Sequence, residues 1–218
     1  MIFKLFDFLL YIYFLIVVVA ALVGWRSRKV LPHPFSWLWV YLLIDVVVEL
    51  VVFVLRYYNI EFRWLYNLFG MVECFFVGWL YYIYFKKPLE RKILIYLLFS
   101  YCLFTVLNQI FFQEYFDYHL VFLVRAIVVV AVVLYYFLII YQNDELLEFN
   151  RKPLFWVSFG LFVFFTASLF SMGLGAHIMR MNKELGYAVM LLNPILNIYL
   201  YVMFIVSFIC SQRNIGHY

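Results

Sequence analysis

The stretch Leu38-Trp-Val-Tyr-Leu-Leu-Ile-Asp45-Val-Val-Val-Glu49-Leu-Val-Val-Phe-Val-Leu-Arg56 is apolar from end to end except for two carboxylates spaced four residues apart. Taken with the residues just before it, the run is long enough to cross a hydrocarbon core of about 30 Å at about 1.5 Å rise per residue. Helix is its expected state, because an unclosed sheet would leave backbone groups unpaired in lipid. A charge at the centre of such a helix costs about 2.5–3.5 kcal/mol even on the gentler insertion scale, so Asp45 and Glu49 require partners or a task. Their spacing places both on one helix face.

Similar runs fill the rest of the chain. Seven segments of spanning length are predicted near 3–25, 35–57, 64–85, 92–113, 119–141, 154–174 and 187–210, within one domain covering 1–218. The 218 residues are 69% hydrophobic and only 13% charged, far from the balance of a water-soluble chain. A soluble fold of this size has too little interior to hide so much apolar surface. The expected class is therefore an all-α integral membrane protein, a seven-helix transmembrane bundle with lipid as its first partner. Pro32, Pro34, Pro88, Pro153, Gly173 and Gly175 punctuate the short connections. The first run is long enough to span and lacks a small-residue cleavage site, so no cleavable signal is expected. Cys74, Cys102 and Cys210 all fall inside apolar runs, and no disulfide is expected.

Orientation follows from Lys and Arg. The ends and loops on one side hold ten, among them Arg26, Arg28, Lys29, Lys86, Lys87, Arg91 and Lys92; the other side holds Lys4, Arg56, Arg63, Arg180 and Lys183. The basic side is normally cytoplasmic, which places the N-terminus outside and the C-terminus in the cytoplasm. Glu114 and Asp117, with no Lys or Arg between Gln113 and His119, fit an outer loop. The net charge of +4 sits in short anchoring clusters rather than in a groove-binding stripe, so no nucleic acid is expected. Aromatics make up 24% of the chain, and Trp37, Trp39, Tyr57, Tyr58, Trp64, Tyr81, Tyr82 and Tyr84 lie near span ends, where an interfacial belt explains them.

Combining depth with orientation brings the remaining polar groups to one level. Asp45 and Glu49 of span two, Glu73 of span three, Asn108 and Gln109 of span four, Arg125 of span five, and Asn193 and Asn197 of span seven all fall in the middle or the outer half. The inner half has almost none. This predicts a polar cavity open to the outer face, lined by Asp45, Glu49, Glu73, Arg125, Asn108, Asn193 and Asn197. Arg125 would neutralise one or two of the acids, and the remaining acid would be protonated or would hold a cation or amine. Pro194 removes a backbone hydrogen bond in span seven, which would free the Met190 carbonyl as an acceptor. A packing role is the alternative for these groups, each buried hydrogen bond contributing about 0.6 kcal/mol. Asn193 and Asn197 fit packing better; Glu73 and the Asp45/Glu49 pair fit a ligand. Asp7 lies close enough to the end of span one to snorkel.

Other chemistry lacks its residues. All seven lysines lie in loops or at span ends, which excludes a retinal Schiff base, and His33, His119, His177 and His217 lack metal or haem spacing. No zinc-protease, phosphate-loop or nucleophile-elbow motif is present. No cofactor and no catalysis are expected. Span two opens Pro34-Phe-Ser-Trp37 and span six opens Pro153-Leu-Phe-Trp156; if spans 1–3 repeat as 5–7, span four becomes a linker.

Trp64-Leu-Tyr-Asn67 leading to Glu73, then Arg125, Pro153-Leu-Phe-Trp156, Asn193 and Asn197, in that order, resembles a family of small seven-span inner-membrane proteins of Bacteroidota, over most of the chain. The resemblance implies a membrane component, sometimes encoded near sensor kinases, and assigns no activity. The functional expectation is a non-enzymatic receptor or signalling component that binds a small polar or cationic ligand and meets a cytoplasmic or membrane protein partner. A small solute or proton-coupled transporter, with Glu73 or Asp45 as carrier acid, and a structural subunit of a larger complex are the alternatives.

Overall fold

The structure, a computed structural model, describes residues 2–29, 35–111, 118–142 and 151–215. Among these residues there are seven α-helices and no strand: α1 (Ile2–Ser27), α2 (Leu38–Tyr57), α3 (Arg63–Tyr84), α4 (Pro88–Phe111), α5 (Tyr118–Gln142), α6 (Pro153–Met181) and α7 (Lys183–Ile215). All but α3 are both long enough and apolar enough to cross a membrane, so the chain is a multi-pass helical membrane protein. With 22 residues α3 matches the others in length, but Arg63, Asn67, Glu73 and its glycines lower its hydropathy.

The helix ends follow local chemistry. Asn59 closes α2 in the left-handed region (φ 54°), with its N–H on the Arg56 carbonyl and the Ile60 N–H on the Leu55 carbonyl. That is the Schellman pattern, and Asn tolerates its left-handed residue better than most side chains do. Pro153 opens α6 at a position where its missing N–H removes nothing. Pro88 does the same for α4, which therefore starts four residues before the expected 92.

Six helices form a closed ring in which α1 packs on α2, α2 on α3, α3 on α5, α5 on α6, α6 on α7 and α7 back on α1. Helix α4 packs on α3 and α5 from outside the ring, the place a linker span would take. The end of the bundle where α1 begins is called the near end below, and the opposite end the far end. Lipid gives no hydrophobic reason for helices to associate, so close approach and dispersion must do so. Ala20 and Ala21 are buried on α1, and a Cβ on Gly24 would stand 2.9 Å from both Trp39 Cβ and Phe208 Cζ. At the far end α1, α2 and α7 thus meet through a glycine. The far half is filled by Leu42, Tyr81, Tyr136, Phe204 and Phe208, each at most 2% exposed. The Tyr81 and Tyr136 rings meet at 5.6 Å and 61°.

Two expectations change. Gly173 and Gly175 do not end span six; α6 continues to Met181, a single residue, Asn182, turns the chain, and α7 starts at Lys183. The Asn182 Oδ1 accepts the N–H groups of Glu184 (3.0 Å) and Leu185 (3.3 Å), so its side chain supplies the turn and the cap together. The expected loop of some dozen residues is therefore an elongated helical hairpin. Tyr81, read as an interfacial anchor, is fully buried, and its hydroxyl lies 2.7 Å from Ser158 Oγ. Pro32, His33, Pro34, Glu114, Asp117 and His217 lie outside the described residues.

Candidate functional site

Helix register assembles the site. Tyr41, Asp45 and Glu49 recur every four residues on α2; Tyr66, Gly70 and Glu73 share a face of α3; Asn193, Asn197 and Tyr201 do so on α7. These faces, with one face of α1 and the near part of α5, enclose a cavity of about 900 Å³. Six of the seven expected residues line it: Asp45, Glu49, Glu73, Arg125, Asn193 and Asn197. Asn108 is buried on α4 but does not line the cavity. Its neighbour Gln109 instead accepts a hydrogen bond from Asn67 Nδ2 at 3.0 Å, which ties α4 to α3.

The three acids sit in three different environments. Glu73 is 5% exposed and fully engaged: its Oε2 lies 3.1 Å from Arg125 Nη1, and its Oε1 accepts the Tyr41 hydroxyl at 3.1 Å. Arg125 is held on every side. Its guanidinium carbon stands 4.9 Å from the Phe122 ring centre and 5.9 Å from that of Phe165, and Nη1 lies where a Cβ on Gly70 would be. This pair is therefore locked together, with cation–π contacts as further support. Glu49 accepts the Tyr13 hydroxyl at 2.9 Å, and the Tyr66 hydroxyl lies 3.3 Å from Oε1 and 3.4 Å from Oε2. Asp45 is 1% exposed and receives a hydrogen bond from the Tyr201 hydroxyl. Its Oδ2 has no hydrogen-bond partner among the described residues. Each acid thus has a tyrosine donor from another helix, but only Glu73 has a salt-bridge cation among the described residues.

Asn197 Nδ2 donates to the Asn193 carbonyl (3.0 Å) and to Asn193 Oδ1 (3.1 Å). The two asparagines bond within α7, next to Pro194, rather than across helices. At the near rim Asp7, Arg56 and Arg63 also line the cavity. Arg63 pairs with Glu61 at 3.3 Å, and Arg56 lies 5.3 Å over Phe62. Toward the far end the filled core closes the cavity floor, and its buried polar side chains include the hydroxyls of Ser158, Ser207 and Ser211.

The tyrosine donors Tyr13, Tyr41, Tyr66 and Tyr201 were not expected. For three of them a signal existed, since Tyr41 precedes Asp45 by four residues, Tyr201 follows Asn197 by four, and Tyr66 lies seven before Glu73. No protein-family model, curated protein or solved structure matches the chain.

Proposed function

We propose that the chain is a non-enzymatic receptor of the cell inner membrane, crossing it seven times with the near end outside, and that its cavity binds a small cationic ligand. The supporting observation is Asp45. It is a fully buried carboxylate on the cavity wall with one oxygen unpartnered, beside a Glu73 whose charge Arg125 already matches. An isolated anion in that setting is costly, and a cation that reaches it removes that cost by pairing with it. Counting α3 as a span rests on its length and on its place in the ring between α2 and α5. The orientation rests on the ten Lys and Arg at far-side ends and loops.

The filled far half favours a receptor over a carrier, since a carrier needs a second opening where Leu42, Tyr81, Tyr136 and Phe204 are packed. The exposed Lys29, Lys86 and Lys92 at the far end suit a cytoplasmic protein partner. The test is thermal unfolding of the full chain in lipid nanodiscs with ethylammonium, acetate or glucose. Ethylammonium at about a hundredfold excess over its Kd should stabilise the chain by about 2.7 kcal/mol, and Asp45→Asn should remove the effect. A shift with acetate alone, or an undiminished shift in Asp45→Asn, refutes the reading. Retention without uptake in sealed vesicles separates receptor from carrier.

A further inference from the structure

The cavity is much larger than a bare ammonium group needs. At about 900 Å³ it lies near the upper end for pockets that hold drug-sized ligands, of about 300–1,000 Å³. Its chemistry is also divided by depth. Asp45 and Glu49 stand toward the floor, with the Tyr13 and Tyr201 rings 5.7 Å apart between them. Around and above them the wall carries the rings of Phe14, Phe53, Phe69, Phe122 and Phe164, beside the Glu73–Arg125 pair and beneath a polar rim of Asp7, Arg56 and Arg63.

The wall is incomplete between α1 and α2. Tyr11, Leu50 and Phe53, on neighbouring helices, line the cavity and are 64%, 48% and 59% exposed. Exposed lining residues on two neighbouring helices mark a side on which the cavity is not sealed. In the far half the same two helices close up, with Val17 and Ala20 fully buried and Gly24 against Trp39. Helices α1 and α2 therefore pack closely in the far half, while at the height of the cavity the Tyr13–Glu49 hydrogen bond joins them and Tyr11, Leu50 and Phe53 stay exposed.

We propose that the ligand is an amphipathic ammonium compound, a cationic head joined to an apolar body, which enters from the bilayer between the near halves of α1 and α2 and seats its head on Asp45. This rests on the cation-binding reading above and adds the ligand's second half and its route. The head meets the unpartnered Asp45 Oδ2 with tyrosine rings beside it, an arrangement that favours cations. The body lies along the phenylalanine wall and through the gap, where lipid-like surroundings continue.

Binding is measured on the full chain in phosphatidylglycerol nanodiscs with 4-phenylbutylamine, ethylamine and 4-phenylbutanol. 4-Phenylbutylamine should bind about tenfold or more tighter than either of the others, because each lacks one half of the match. Asp45→Asn should bring the affinity for 4-phenylbutylamine down to that for 4-phenylbutanol. Phe53→Ala, which shortens the aromatic wall, should weaken 4-phenylbutylamine more than ethylamine. Leu50→Trp, which crowds the gap, should slow 4-phenylbutylamine association. Equal affinity for the two amines overturns the amphipathic ligand while leaving the cation site intact. Equal affinity for the amine and the alcohol overturns both, and an unchanged rate in Leu50→Trp overturns the lateral route. With phosphatidylethanolamine added to the discs, competition identifies a lipid headgroup as the amine source; its absence identifies a free amine, and either result upholds the shared chemistry.

Discussion

Position 70 of α3 holds a hydrogen where any side chain would collide with the Arg125 guanidinium. Gly70→Ala should therefore cost about 1–3 kcal/mol, the range for overpacking a filled site. In an Arg125→Met background the same change should cost little, because the clashing atoms are gone; a double-mutant cycle by chemical unfolding in detergent measures the difference. Arg125→Ala and Glu73→Gln should each lose about 3–5 kcal/mol, since each leaves a buried charge without its partner. Together they should lose less than the sum. Equal and additive losses would show that the two groups do not depend on one another. At this scale the sequence told height but not direction. Counting 1.5 Å per residue placed Asn108 in the outer half with the other polar groups, but neighbouring residues point about 100° apart around a helix, and Gln109 rather than Asn108 is the one bonded to α3. Buried tyrosine donors escaped for a related reason. A tyrosine in an apolar run looks the same whether its hydroxyl reaches water at the interface or a carboxylate inside the bundle.

For whole helices, the apolar runs were legible because lipid demands length, and length can be counted. The edges failed where glycine was read as punctuation. Gly173 and Gly175 have weak helical preference, yet α6 runs through both; a Cβ on Gly175 would stand 3.7 Å from Val189 of α7, while one on Gly173 would meet open space. The turn is instead set by Asn182, whose single oxygen caps two N–H groups. Asn182→Ala should release the first turn of α7 at a cost of about 1 kcal/mol. Faster amide exchange confined to the residues after 182 is the expected signature, and exchange unchanged there would refute the capping role. Gly24→Val should separate α1 from α2 and α7 at the far end, lowering the unfolding temperature in detergent; no change would mean that the contact with Trp39 and Phe208 is slack.

Across the whole molecule, the number of spans and their direction can be tested on intact cells. Cysteine placed at Asn59 or Asn182 should react with an impermeant maleimide added outside. Cysteine at Lys87 should react only after the membrane is permeabilised. Labelling of Asn59→Cys and Lys87→Cys from the same side would remove α3 from the membrane and reduce the spans to the six of higher hydropathy. The ring closure, with α4 left outside it, was not legible, because an apolar run says that a helix meets lipid or neighbours but not which neighbours.

The packed floor beneath Asp45 also has an electrical consequence. Asp45 stands twelve residues below Tyr57, or about 18 Å down a helix about 30 Å long. With the near end outside, a positive ion moving from the outer solution to this carboxylate passes through a large share of the transmembrane voltage. A full crossing corresponds to about 2.3 kcal/mol for each 100 mV. Occupancy should therefore rise when the cytoplasm becomes more negative and fall on depolarisation, so that an energised cell would hold its ligand more firmly than a de-energised one.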